Sequence, residues 1–175
     1  VNGFVVNGTT AESPTLTRRE VWEIFEFVKG ETGGAVKLIV GTGSNSTAQS
    51  IEFTREAGKW GADAALVVVP YYNKPPQRGM LAHFKEIAKA SLVPVIAYNV
   101  PSRTVASLEP ETIGYLSRVD NIAGIKEASG SMDVLRRVRD AAAKNFSILS
   151  GDDGTCVDFC AKGGHGVIGV ASHVI

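Results

Sequence analysis

Three shortages in this 175-residue sequence each exclude a class of protein. Its two cysteines are too few for a disulfide framework, which fits a reducing compartment such as the cytoplasm. It has no excess charge: 18 Lys and Arg face 18 Asp and Glu, so it lacks the footprint of a surface that binds nucleic acid or anionic lipid. It also has no long hydrophobic run. Apolar residues make up 44% of the chain but occur in runs of roughly five to seven, where a membrane helix needs about 20 in succession. No basic segment followed by an apolar one opens the sequence, so no export leader is expected; because it begins Val1-Asn2 without Met, its natural start is expected upstream. These exclusions leave a soluble single domain, residues 1–175, acting on small molecules or assembling with copies of itself.

What the sequence does contain is a regular alternation. Apolar, β-branched runs at 4–6, 36–40, 64–69, 93–97, 122–125, 146–149 and 167–170 predict seven strands. Helical periodicity fills the gaps. Val21, Ile24, Phe25 and Val28 mark a first helix introduced by Thr17-Arg-Arg-Glu20, which has the form of a capping box. Further helices are predicted at 47–59, 77–90, 110–116, 132–143 and 155–162, with Pro110 suited to a first turn. Continuous rather than alternating apolar strands indicate a parallel sheet covered on both faces. Nearly every strand ends in polar residues or glycine, as in Asn7-Gly8-Thr9-Thr10, Pro70-Tyr71-Tyr72-Asn73, Tyr98-Asn99 and Lys126-Glu127. Functional groups spread over many strand ends favour the rim of a TIM barrel over an open sheet, which gathers them at one switch point. A closed barrel has eight strands, one more than the seven expected here.

Lys126 ends the run Ile122-Ala-Gly-Ile125, where little water would surround its amine. Desolvation favours the neutral form, which can attack a carbonyl; the alternative is a lysine paired with a carboxylate such as Glu127. Tyr98 can pass protons across a barrel mouth or serve as an amphipathic wall. Thr9 and Thr10 offer hydroxyls and backbone N–H groups to a carboxylate, or form a plain turn. Arg103, placed in a loop, has the planar fork that suits a carboxylate, or is a solvated surface residue.

Together with their neighbours these residues carry a resemblance. Gly8-Thr-Thr-Ala-Glu12, Pro70-Tyr-Tyr-Asn73, Tyr98-Asn-Val-Pro-Ser-Arg-Thr104, Gly124-Ile-Lys-Glu-Ala128, Leu149-Ser-Gly-Asp-Asp153 and Gly163-Gly-His-Gly-Val-Ile168 resemble, in order and spacing, the dihydrodipicolinate synthase family of pyruvate-dependent class I aldolases. The resemblance runs from end to end. It implies an α/β fold, a (β/α)8 TIM barrel of which this chain supplies strands two to eight, without the family's first βα unit and C-terminal helices. It implies a Schiff base between Lys126 and pyruvate, a proton relay of Tyr98, Thr9 and Tyr72, with Tyr72 reaching a neighbouring subunit's site, and no cofactor or metal. Thr10 would hold the pyruvate carboxylate and Arg103 that of L-aspartate 4-semialdehyde, with backbone at Gly151 and Ile168 lining the site. The product would be 4-hydroxy-tetrahydrodipicolinate, made for lysine and diaminopimelate biosynthesis by a homotetramer built as a dimer of dimers. N-acetylneuraminate lyase and keto-deoxy sugar-acid aldolases share the threonine-rich turn, the tyrosine and the lysine and are alternative readings; a non-catalytic keto-acid-binding relative is another, disfavoured by the presence of Lys126, Tyr98, Thr9 and Tyr72 together.

Two departures stand out. Ala11 replaces a glycine common in the family, which is tolerated only if that turn needs no positive φ there. In lysine-inhibited members an effector pocket uses a tyrosine, an asparagine, two histidines and a glutamate. Here Tyr71 and Asn45 match the first two, but Arg18 and Val21 replace the histidines and Gln49 the glutamate, so weak or absent lysine feedback is expected.

Other signals point to structure. Gly41-Thr-Gly43 suggests a tight turn more than a dinucleotide fingerprint, Cys156 and Cys160 with His165 suggest core cysteines more than zinc, and Asp152-Asp153 suggests a helix cap more than a metal. The glycines at 151, 164 and 166 leave a sugar-phosphate site as a further reading.

Overall fold

The computed structural model describes residues 1–174. Its seven strands are β1 (Gly3–Val6), β2 (Lys37–Gly41), β3 (Ala64–Val68), β4 (Val95–Asn99), β5 (Ile122–Glu127), β6 (Ser147–Ser150) and β7 (Gly166–Val167). They pair in parallel in the order β1 to β7. This order decides between the two architectures. Right-handed crossovers that always add the next strand to the same edge place every helix on one face, so the other face becomes the inside of a curling sheet. The order never reverses, as it must in a doubly wound sheet. The fold is thus part of a (β/α) barrel, with β1 and β7 as edge strands.

The helices are α1 (Arg18–Thr32), α2 (Thr47–Trp60), α3 (Gln77–Ala90), α4 (Pro101–Thr104), α5 (Pro110–Leu116), α6 (Met132–Ala141) and α7 (Cys156–Ala161). The capping box of α1 is complete: Thr17 accepts from the Glu20 N–H while the Glu20 carboxylate accepts from the Thr17 N–H. Serines at 46 and 131 cap α2 and α6 by accepting from Gln49 and Val134 N–H groups. One turn apart on α1, Val21 and Phe25 face the sheet and pack with Leu38, Val40 and Ala57. Burial of one such side chain stabilises by about 1.5–3 kcal/mol.

Alternation along the strands separates two cores. Val67, Val95, Ala97, Ile125 and Ile148 face outward to α3, α5 and α6. Ala64, Leu66, Ile96 and Tyr98 face the barrel interior. In β5 the alternation is interrupted: Ile122 and Ile125 both belong to the outer core, although an odd step along a regular strand puts two residues on opposite faces. The register against β4 shifts by one residue, from Val95↔Ile122 to Ile96↔Gly124. This bulge turns the end of β5 over, so that Lys126 shares the interior face with Tyr98.

Most strand ends fall within two residues of expectation, and two strands and one loop differ in ways with a local cause. The predicted run 93–97 forms β4 two residues later, because Ser91 Oγ engages Val93 in a turn and Pro94 has no N–H for the ladder. The run 167–170 contributes only Val167, because the Val170 N–H is taken by Asp153. Arg103 lies in the short helix α4, entered through Pro101, rather than in an irregular loop.

Candidate active site

Tyr98 and Lys126 are cross-strand partners at the C-terminal ends of β4 and β5. Lys126 Nζ sits 4.4 Å from the centre of the Tyr98 ring. Burial draws the Lys126 ammonium below its ordinary value, opposed by the negative charge of Asp153. Burial pushes the Tyr98 phenol up, opposed by the side chain of Thr9 and the positive charge of Arg103. Thr9, Arg103 and Lys126, all picked from the sequence, therefore each act on Tyr98. An amine biased towards neutrality beside a phenol that stays protonated is suited to attack on a carbonyl and to proton transfer at the resulting alcohol.

The competing ion pair is not formed. Glu127 follows Lys126 on the strand and so faces the other way, where its oxygens accept from Asn99 Nδ2 at 2.8 Å and Ser129 N–H at 2.7 Å. These two partners were not legible as site residues.

Gly151 lies against the lysine. A Cβ there would fall 2.8 Å from Lys126 Cε, so only glycine leaves that side chain its place. The Gly151 N–H donates to Glu127 O and the Ile168 N–H to Ser150 O, both at 2.8 Å, so neither N–H is left for a ligand. Thr9 and Thr10 occupy a 3-10 turn, Thr9–Ala11, above β1. Its left-handed residue is Glu12, with φ 53°, and Ala11 has no positive φ, which is why alanine is accepted there.

A cavity of about 230 Å³ opens beside the pair. Its lining includes Thr9 and Tyr98 together with Tyr71, Arg18 and Gln49, while Lys126 is not part of it. The cavity thus joins the candidate catalytic wall to the candidate effector residues. Asn45 stands next to the Tyr71 loop, its carbonyl accepting from Asn73 Nδ2 at 3.2 Å. Arg18 is held by Glu56 at 2.7 Å and stacks on Phe53, and Val21 is buried in the core. Tyr72 is 87% exposed on left-handed backbone and does not line the cavity.

The minor signals resolve structurally. Gly41 and Gly43 are packing glycines: a Cβ on them would lie 2.1 Å from Asn7 O and 2.4 Å from Val68 N. The cysteines are not core residues, because Phe159 alone carries the buried face of α7, leaving Cys156 half-buried and Cys160 exposed. His165 Nδ1 accepts from the Ile148 N–H, and no group of three metal-binding side chains occurs among the described residues. Asp152 and Asp153 do not cap α7. Asp153 instead accepts from the Val170 and Ala171 N–H groups and ties down the end of β7.

Comparison with known proteins gives the family and the fold. The chain is 57% identical over 175 residues to the 4-hydroxy-tetrahydrodipicolinate synthase of Bdellovibrio bacteriovorus, covering 100% of this chain and 60% of that one. Among solved structures, dihydrodipicolinate synthase from Bacillus anthracis superposes with a TM-score of 0.97 at 43% identity, covering 100% of this chain and 60% of the other. The chloride-inhibited enzyme from Acinetobacter baumannii, complexed with pyruvate, gives 0.97 at 40% identity, covering 99% and 60%. The chain therefore spans about 60% of the length of the curated relatives it matches. Residues 1–175 match the sequence profile of the Dihydrodipicolinate synthetase family, and the chain belongs to that family.

Proposed function

We propose that this protein is a lyase that condenses pyruvate with L-aspartate 4-semialdehyde through a Schiff base on Lys126. The observation that carries the reading is the placement of a half-buried lysine, its ammonium disfavoured by burial, against a buried tyrosine at the barrel rim. The neutral amine attacks the pyruvate ketone to give a carbinolamine, and loss of water leaves the imine. The imine accepts electrons from the adjacent methyl group as a proton departs, forming an enamine that attacks the aldehyde carbon. The amino group of the second substrate then displaces Lys126 as the ring closes, giving 4-hydroxy-tetrahydrodipicolinate.

Tyr98, Thr9 and Tyr72 relay the protons, with Tyr72 supplied by a neighbouring subunit of a homotetramer. Thr10 holds the pyruvate carboxylate, Arg103 the carboxylate of the aldehyde, and the carbonyls of Gly151 and Ile168 line the lysine side. The reaction needs no cofactor or metal and belongs to cytoplasmic lysine and diaminopimelate biosynthesis. Pyruvate consumption should depend on L-aspartate 4-semialdehyde. Turnover with N-acetylmannosamine or glyceraldehyde in its place would move the protein to another branch of the same chemistry.

A further inference from the structure

Behind the Tyr98–Lys126 pair lies a second pair that imine chemistry does not use. Asn99 and Glu127 are the next register partners on β4 and β5, and they face the helix layer. Both are buried, Asn99 at 0% and Glu127 at 2% exposure. A carboxylate so enclosed would be expected to have a cation, yet both its oxygens are taken by N–H donors: Asn99 Nδ2 on one, the Ser129 N–H on the other. The Asn99 amide orientation is set independently, because its oxygen must accept from the Leu108 N–H at 2.9 Å, which leaves the NH2 for Glu127. The carboxylate is therefore matched to its site by hydrogen-bond polarity. It accepts at both of its terminal atoms, which an isosteric amide cannot do, because one of the amide's two is an NH2 donor.

This pair sits where three pieces of the site meet. Immediately before it on each strand come Tyr98 and Lys126. Through Leu108, Asn99 holds the returning end of segment 100–108, and Thr104 holds the same segment inside, its single hydroxyl proton directed at Ala106 O at 2.7 Å with Val100 O at 3.0 Å as the alternative acceptor. Arg103 lies between these anchors. Through Ser129, Glu127 fixes the residues that follow Lys126. Because successive strand residues face opposite sides, locking Glu127 outward locks Lys126 inward.

We propose that Asn99 and Glu127 are positioning residues whose donor–acceptor polarity sets the Lys126–Tyr98 geometry and the placement of Arg103. The inference rests on the reading of Lys126 as the imine-forming residue. It differs from a role in fold stability alone, because polarity can be exchanged. In the double variant Asn99→Asp/Glu127→Gln the carboxylate introduced at position 99 accepts from Leu108 and from the amide introduced at position 127. The oxygen of that amide accepts from Ser129, and Ser107 Oγ, which accepts from Asn99 Nδ2 at 3.3 Å, can turn its hydroxyl to donate to the new carboxylate, so every bond is restored, with the direction reversed across the pair.

The test uses the natural protein and three variants, E127Q, N99D and the double exchange. Its readouts are the initial rate of borohydride trapping with pyruvate, KM for the aldehyde substrate, and Tm. E127Q and N99D should each slow trapping by about tenfold or more and raise the aldehyde KM, and the exchange should return both to within about threefold of the natural protein. Trapping by E127Q at the natural rate overturns the inference. So does an exchange variant that recovers Tm but not trapping. If the single variants do not fold, the exchange alone decides: folded and reactive supports the inference, folded and slow rejects it, and failure of the exchange to fold also rejects it, since restored polarity should restore the pair. Absence of a pyruvate adduct on the natural protein would instead remove the functional reading itself.

Discussion

Substituting Gly151 by alanine adds a methyl group 2.8 Å from Lys126 Cε, 3.0 Å from Lys126 Cγ and 2.8 Å from Ala128 Cβ. Carbon atoms rest about 3.5–4.0 Å apart, so roughly 1 Å of space must be found. Gly151 has no positive φ, and its N–H is held by Glu127 O at 2.8 Å, so alanine brings no backbone strain and the backbone has reason to stay. The lysine side chain is the partner free to move. The stability cost is then that of modest overpacking, about 1–3 kcal/mol. The chemical cost is larger, because a displacement of about 1 Å at a reacting group lowers rates by about 10²-fold. Trapping of the pyruvate imine with borohydride, followed over time beside a thermal melt, separates the two. A folded Gly151→Ala protein trapped within about threefold of the natural rate would refute the claim that this glycine makes room for the reactive amine.

Other outcomes follow from the same geometry. Tyr98→Phe should keep the fold and slow imine trapping by about 10²-fold or more, the usual scale for losing a general acid–base; an unchanged rate would assign the proton transfers elsewhere. His83 is 5% exposed, its Nδ1 lies 2.8 Å from Thr47 Oγ1, its Nε2 has no partner, and burial lowers its pKa to about 4 from an ordinary 6.5. The unfolded chain binds the proton first, so this contribution is intact above about pH 6.5 and falls on acidification, by about 3 kcal/mol at pH 4 and below. Urea midpoints measured across that range should fall for the natural protein and lose that part of the slope in His83→Gln; equal slopes would contradict it. With Arg18 committed to Glu56 and Gln49 in place of an anion, L-lysine should leave steady-state activity unchanged. Inhibition at sub-millimolar lysine would show that the cavity accepts a second cation.

Much of the fold was legible because strand and helix periods leave different marks. β3, with Ala64 to Val68 almost wholly buried, reads as an interior parallel strand from composition alone. Strand ends were less legible. Asn99, Lys126 and Glu127 lie beyond the apolar runs 93–97 and 122–125 that mark the strands, yet all three lie inside the sheet because the ladder continues to the barrel rim. The bulge that turns Lys126 inward leaves no mark except Gly124, where a Cβ would meet Ser147 O at 2.6 Å. Lys126, Tyr98, Thr9 and Arg103 could be singled out because each is chemically distinctive at a strand end or in the turn or short helix that follows it. The Asn99–Glu127 pair was missed because its meaning lies in a cross-strand register that one-dimensional spacing does not carry. The cysteines of α7 failed for the opposite reason: residue type suggested burial, but the six-residue helix has one buried position and Phe159 takes it.

In the proposed reaction Lys126 carries the covalent intermediate. The natural protein incubated with pyruvate, reduced with borohydride and digested should yield one modified peptide, that containing Lys126, heavier by the mass of pyruvic acid less one oxygen. An adduct on another lysine, or none on a folded protein, would contradict the account.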